Sequence, residues 1–355
     1  MQILIVNKTQ FGYHTDVYKW CLYLKRNHKI RLICYDEGKP RINMSGVNVN
    51  YARKILGIAK FRIIVFFIVS FFYSLLTNGP VIISYFKGCL FLRKLLPGKR
   101  FILDIRTLSV DRNEELRKKE NIEIRKACLS FKEITIISEG LKQQLELPEG
   151  KKVYLLPLGA DVVSTKPKIF DNGIKLLYVG TLTNRHVEKT IEGLSLFFKK
   201  NTDINMEYHI VGSGVKDDIE VVNSAIKDSG LHNIIYCHGF VQHEELGRFF
   251  DECNIGVSYV PLTPYYQDQP PTKTFEYILS NMFTIATATR SNKGIVSNDN
   301  GIIVNDDAES FCIALQYVVD NLSKIRELHV GDTLVEYKWE NIVKKYLMPI
   351  LETNQ

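Results

Sequence analysis

Short apolar runs alternate along this chain with longer segments of helical period. Residues 3–6, Ile-Leu-Ile-Val, open it, and a run of this kind reads as a strand buried on both faces. A loop with Gly12 and His14 follows, residues 17–24 place apolar side chains at helical spacing, and residues 30–35 form the next strand. Strand, helix and strand in that order predict a crossover unit and therefore a parallel sheet. Further strands are expected at 81–86, 101–105, 134–137 and 153–156. The aperiodic stretch 164–173, with Pro167 and Gly173, reads as a linker. The plan then repeats: a strand at 175–179 running into Gly180, a helix at 187–199, and strands at 208–211, 234–237, 255–259 and 283–286. A last helical stretch begins near residue 335. The halves share architecture but no sequence period. The expected fold class is α/β, with two doubly wound domains, 1–163 and 164–334, meeting at a cleft outside the carboxyl ends of their strands.

One segment breaks the pattern. Residues 63–76 (IIVFFIVSFFYSLL) are apolar apart from Ser70 and Ser74. A spanning helix needs about 17–25 such residues, so the run is too short to cross a bilayer. Two readings stand: a core helix packed on the sheet, or a helix lying in a membrane surface, with Arg53, Lys54, Lys60 and Arg62 just before it as anchors. Different faces of one helix can satisfy both.

Composition narrows the class. The 355 residues are 45% hydrophobic and 24% charged, a globular balance that excludes disordered and collagen-like chains. The seven cysteines contain no Cys-x-x-Cys pair, which argues against a zinc ribbon or a disulfide framework and fits a reducing cytoplasm. The first dozen residues have no basic stretch ahead of the apolar run and do not read as a signal peptide. The net charge of +7 hides an asymmetry: residues 1–160 carry 28 Lys+Arg against 13 Asp+Glu, residues 161–355 carry 18 against 26. A basic half suits nucleic acid or an anionic membrane surface, or serves only as a solubilising face.

The densest chemistry lies at residues 269–277, Gln-Pro-Pro-Thr-Lys-Thr-Phe-Glu-Tyr. Two prolines ahead of Thr272 suit a helix start. The free N–H groups at such a start favour phosphate. Lys273 adds a positive charge, and Glu276, one turn on, can accept from both hydroxyls of a ribose diol. Upstream, strand 175–179 leads through Gly180 to Arg185, whose fork suits phosphate oxygens. Gly212-Ser213-Gly214 closes another strand and permits close backbone approach, but lacks the third glycine of a dinucleotide fingerprint, which disfavours a dehydrogenase. His238-Gly239-Phe240 ends a further strand. His232, Cys237, His238 and His243 lack the paired spacing of a zinc site. No two aspartates lie two positions apart, so no Asp-x-Asp metal site is expected.

In this order the set resembles the retaining family 4 glycosyltransferases of the GT-B fold, over nearly the whole chain and most specifically over residues 178–286. That family carries two glutamates separated by seven residues. Glu276 matches the second, and Asp268 stands at the first, with a shorter side chain. Residues 271–277 look like the Pro-x-Lys-x-x-Glu-Tyr variant of polysaccharide-assembly members. Gly12 stands where the family has a Gly-Gly loop, beside His14. Asp104-Ile105-Arg106 resembles the strand end near the family's reaction centre. Ser138-Glu139-Gly140 and Pro157-Leu158-Gly159-Ala160-Asp161 look like family segments, the second with Leu158 in place of Asn.

The resemblance implies two Rossmann-like domains, the first completed by 335–355, with hinges near 161–173 and Gly331. It implies transfer of a sugar from a UDP- or GDP-linked donor with retained configuration, independent of metal and without further cofactor. Arg185 and Lys273 would bind the diphosphate, Asp268 the transferred sugar, and Arg106 would act near the reaction centre. Glu276, Thr272, Thr274, Gly12, His14, Gly212, Gly214 and Phe240 would line the substrate site. The implied acceptor is a glycan or a lipid-linked sugar; cysteine usage points to the cytoplasm, and the basic half with residues 63–76 points to an anionic membrane surface and not to nucleic acid. A non-catalytic sugar-nucleotide-binding partner and a sugar-nucleotide epimerase are the alternatives.

Overall fold

The computed structural model describes residues 1–53 and 59–353. Two compact units divide it: Met1–Leu158 with Trp339–Gln355, and Gly159–Lys338.

The first unit is built on a seven-stranded sheet. Its strands are β1 (Gln2–Val6), β2 (Lys29–Tyr35), β3 (Val47–Ala52), β4 (Val81–Ser84), β5 (Phe101–Ile105), β6 (Glu133–Ile136) and β7 (Lys152–Leu155), in spatial order β3-β2-β1-β4-β5-β6-β7, all parallel. Ile3, Leu4, Ile5 and Val6 are fully buried, as a strand covered on both faces must be. β3 was not expected from the sequence. Its Val-Asn-Val-Asn pattern has only alternate apolar positions, because it sits at the sheet edge, where Val47 and Val49 are only partly covered.

The second unit holds β8 (Ile174–Val179), β9 (Met206–Val211), β10 (Ile235–Gly239), β11 (Ile255–Ser258), β12 (Phe283–Thr287) and β13 (Gly301–Val304), in order β10-β9-β8-β11-β12-β13, again all parallel. β13, four residues long, was also missed. Counted from its own first strand, each sheet contains the order 3-2-1-4-5-6. The order reverses between β1 and β4 in one unit and between β8 and β11 in the other, and such switch points are where doubly wound sheets hold ligands.

Residues 161–173 have no regular structure, but they are fastened along the second unit. Ser164 Oγ donates to Asp251 Oδ1 at 2.6 Å, Lys166 pairs with Asp251 at 2.8 Å, and Phe170 enters the core. The end of the chain departs from the single helix expected from about residue 335. A 3₁₀ segment covers Val330–Tyr337, Lys338 turns extended (φ −59°, ψ 137°), and helix resumes at Trp339. The backbone then widens to a π-type turn over Val343–Leu347 just before Pro349, whose ring removes a helical N–H. Arg100 ties this end to the first unit's sheet, donating to the carbonyls of Ile350 (2.6 Å), Leu351 (3.1 Å) and Thr353 (2.9 Å).

Candidate functional site

At the switch point of the second unit, a crevice of about 200 Å³ opens outside the carboxyl ends of β8 and β11. It is lined by residues 178–181 and Arg185 after β8, by 257–260 around the end of β11, and by Pro271, Thr272 and Lys273. A larger cavity, about 660 Å³, lies at the amino ends of β1–β3 in the first unit, but no strand terminus of the carboxyl side reaches it. Volume alone does not make a site. The smaller crevice is where polar groups converge at the switch point.

The loop after β8 is shaped by backbone contacts. Gly180 N–H donates to Val211 O at 3.0 Å, and Gly212 N–H to Gly239 O at 2.8 Å. Gly212 adopts φ +156°, and a Cβ there would lie 1.7 Å from the carbonyl oxygen of Gly180, so only glycine fits. Leu182 N–H donates to Ser213 O (2.9 Å), and Val215 N–H to Thr183 Oγ1 (2.9 Å), which knits the Gly212–Gly214 turn onto the Arg185 loop. Asn184 and His186 both take left-handed φ values (59° and 52°), flanking Arg185. That conformation is costly for non-glycine residues and marks strain held in place by the surroundings. The Arg185 guanidinium stacks 4.3 Å over the Tyr266 ring, and its Nη1 is buried with no hydrogen-bond partner.

Facing it, helix Thr272–Leu279 starts at Pro271 with no side-chain cap, so its first N–H groups stay available. Two contacts fix the helix. Tyr277 Oη accepts from Val179 N–H at 2.7 Å, and Gly256 on β11 lets the Tyr277 ring approach so closely that a Cβ would sit 2.4 Å from it. Lys273 pairs with Glu276, a residue only 3% exposed that, although expected in the substrate site, does not itself line the crevice. Thr274, expected in the substrate site, is fully buried, in contact with Ser258 Oγ (2.6 Å) and Asn292 Oδ1 (3.0 Å), and does not line the crevice.

Asp268 is also buried, and both of its oxygens are engaged: Arg290 Nε donates to Oδ1 at 2.8 Å and Nη2 to Oδ2 at 2.5 Å. The sequence offered no sign of Arg290, because a pair 22 residues apart leaves no local pattern. Phe240 is 79% exposed beyond the end of β10. His238 stacks on His209 at 5.2 Å and packs against Phe249, and burial, followed by the neighbouring His209, holds its imidazole below the usual range. Among the described residues no group of three or more His, Cys, Asp or Glu side chains is placed to hold a metal ion.

In the first unit, Gly12 takes φ +94° in the loop after β1, and His14 precedes helix Thr15–Leu24. His14 Nδ1 is buried without a partner, and burial holds this imidazole below its ordinary pKa. Arg106, just past β5, pairs with Asp16 at 2.5 Å, donates to Leu156 O at 2.6 Å and lies 5.8 Å over the Trp20 ring. Asp104 is fully buried, pushed up to about 7 by burial against the weaker pull of Arg106 and Thr135. Register explains the last contact: Asp104 pairs with Thr135 across β5 and β6, and Thr135 Oγ1 donates to Oδ1 at 2.8 Å. Asp16 and Trp20 were not singled out by sequence, since neither belongs to a spaced motif.

No protein-family profile matches the chain, and no curated protein matches it. Solved structures do. The chain is similar to a sucrose-phosphate synthase from Thermosynechococcus elongatus (15% identity, 97% of each chain, TM-score 0.74). It is similar to a glycosyltransferase from Rickettsia africae (15% identity, 99% of each chain, TM-score 0.73). It is also similar to HepE from Anabaena in complex with UDP and glucose (10% identity, 97% of this chain and 98% of that one, TM-score 0.74). At such identities the likeness is one of fold, and the fold of this chain is GT-B, two Rossmann-like α/β units.

Proposed function

We propose that the protein is a retaining glycosyltransferase that moves a sugar from a UDP- or GDP-linked donor to a glycan or lipid-linked acceptor in cell-surface glycan assembly, in the cytoplasm. One observation carries the reading. An unpartnered buried guanidinium nitrogen, the Lys273 ammonium held by Glu276 and an uncapped helix start converge on one switch-point crevice. A buried donor without an acceptor costs about 1–3 kcal/mol, and a diphosphate oxygen would satisfy it. The HepE structure, with UDP and glucose bound to the same fold, supports the choice of ligand.

In this reading Arg185, Lys273 and the N–H of Thr272 grip the diphosphate. Its negative charge grows as the glycosidic bond breaks, so these groups stabilise the transition state more than the ground state. Fixed cations take the part a divalent metal plays elsewhere, and the reaction proposed needs no metal. Glu276 receives the ribose hydroxyls. Asp268, oriented by Arg290, accepts from hydroxyls of the transferred sugar. Gly212 and Gly214 let the backbone close on the donor, and Phe240 offers its ring to the base. Gly12, His14 and Arg106 serve the acceptor side. In the retaining route the departing diphosphate takes the acceptor's proton, and His14 or Asp104 would serve as base only in an inverting route.

Asp268 already bound to Arg290 also favours a second reading, a sugar-nucleotide-binding partner without transfer. Melting-temperature shifts with UDP, GDP, ADP and CMP identify the base, and release of nucleoside diphosphate from a cognate donor separates the two readings. Failure of every nucleotide to raise the melting temperature overturns both.

A further inference from the structure

The helix Ala59–Leu76 is inside out. Its sheet-facing side buries Phe66 together with two hydroxyl residues, Ser70 and Ser74, whose oxygens have no hydrogen-bond partner. Its outer side exposes Ile64, Ile68, Phe72 and Leu75 to 51%, 48%, 55% and 57%. These recur at helical spacing and form one stripe along the helix. The neighbouring helix Cys89–Leu95 continues it, with Phe91 62% exposed and its ring edge-on to Phe67 at 6.3 Å. A contiguous apolar face across two packed helices, with the polar groups on the wrong side, is a surface built to be covered.

Charge says by what. From Gly38 through Leu103 the chain has eleven Lys and Arg and no Asp or Glu; Lys39, Arg41 and Arg53 pair with Glu37 and Asp36 just ahead of this stretch and Arg100 with Glu133, and the others remain in excess. The segment includes both helices, and exposed Lys87 and Lys94 flank the second. A second copy of the same face would bring like charges together, which disfavours self-association. Among the described residues no helix is long and apolar enough to cross a membrane.

We infer that this helical layer seats the protein on a bilayer rich in anionic lipid, the apolar stripe entering the acyl boundary and the basic side chains meeting the headgroups. The inference stands apart from the nucleotide crevice and is tested separately from it. Vesicle flotation uses phosphatidylcholine alone or mixed with phosphatidylglycerol, at about 50 mM and about 500 mM salt. The wild-type chain is expected to float with the mixed vesicles and to lose most binding at high salt. Phe72→Ser with Leu75→Ser weakens binding about tenfold or more. Lys87→Ala and Lys94→Ala weaken it about fivefold per charge. Every variant keeps the single cooperative urea transition of the wild-type chain, which shows that it folds. Three outcomes overturn the inference: no flotation with anionic vesicles, variants that float like wild type, or a wild-type dimer that Phe72→Ser with Leu75→Ser turns into a monomer. The residue called Lys54 in the basic approach to this helix, and the side chain of Lys60, lie outside the described residues.

Discussion

Replacing Arg185 with alanine separates ligand binding from folding. In the free protein the guanidinium is half-buried, stacked on Tyr266, with Nη1 lacking an acceptor. Its removal takes away a stacking contact worth about 0.5–2 kcal/mol. It also relieves an unsatisfied donor costing about 1–3 kcal/mol. The two nearly cancel, so the urea midpoint of the free protein should move little. Binding behaves differently. A charge-assisted hydrogen bond contributes about 1.5–3 kcal/mol, so one lost bond to a diphosphate raises the nucleotide Kd about 10- to 150-fold. The loss of catalytic rate should exceed the loss of ground-state affinity, because the charge on the leaving group is larger in the transition state. Arg185→Lys keeps the charge but not the fork, and should recover only part of the affinity. Calorimetric titration with the active nucleotide, beside urea unfolding of the free variant, makes the comparison. Wild-type affinity in Arg185→Ala, or a midpoint drop large enough to explain weaker binding by itself, would refute the reasoning.

Three further outcomes follow from named contacts. Arg290→Ala strands the buried Asp268 carboxylate; because Arg290 is itself 62% exposed, the stability loss by urea unfolding should be only about 1 kcal/mol, while the donor KM rises, and an unchanged KM would remove Arg290 from the positioning role. Asp104 has its pKa raised to about 7, so the folded state holds a proton that the unfolded chain releases near pH 4; the stability this contributes is fully present below about pH 4 and is lost as pH rises to about 7. Asp104→Asn should flatten that slope in urea midpoints measured across pH 4–8, and parallel curves would count against the raised value. Tyr277→Phe deletes the acceptor of Val179 N–H at the mouth of the crevice and should cost about 1–3 kcal/mol of stability, measured by urea unfolding, with a matching loss of nucleotide affinity if the helix start shifts.

Much of this molecule is written in short-range pattern. Buried four-residue runs such as residues 3–6, the glycine turns at 180 and 212–214, and the prolines ahead of Thr272 declare their conformations through neighbours a few positions away. Repetition of strand, glycine loop and helix was enough to expect two parallel α/β units. Packing decided the rest. β3 and β13 escaped notice because each lies at the edge of its sheet, where too few positions are buried to show a period. Thr274 sits beside Lys273 in sequence, yet a helix turns adjacent side chains about 100° apart, which sends one to the core and the other to the crevice. The Asp268–Arg290 and Asp104–Thr135 contacts join residues from separate elements, so only strand order and register could create them. The apolar run at 63–76 shows the limit most plainly. Composition marked it as unusual, but packing decided which face is covered: Phe66, Ser70 and Ser74 are buried, while Ile64, Ile68, Phe72 and Leu75 face outward.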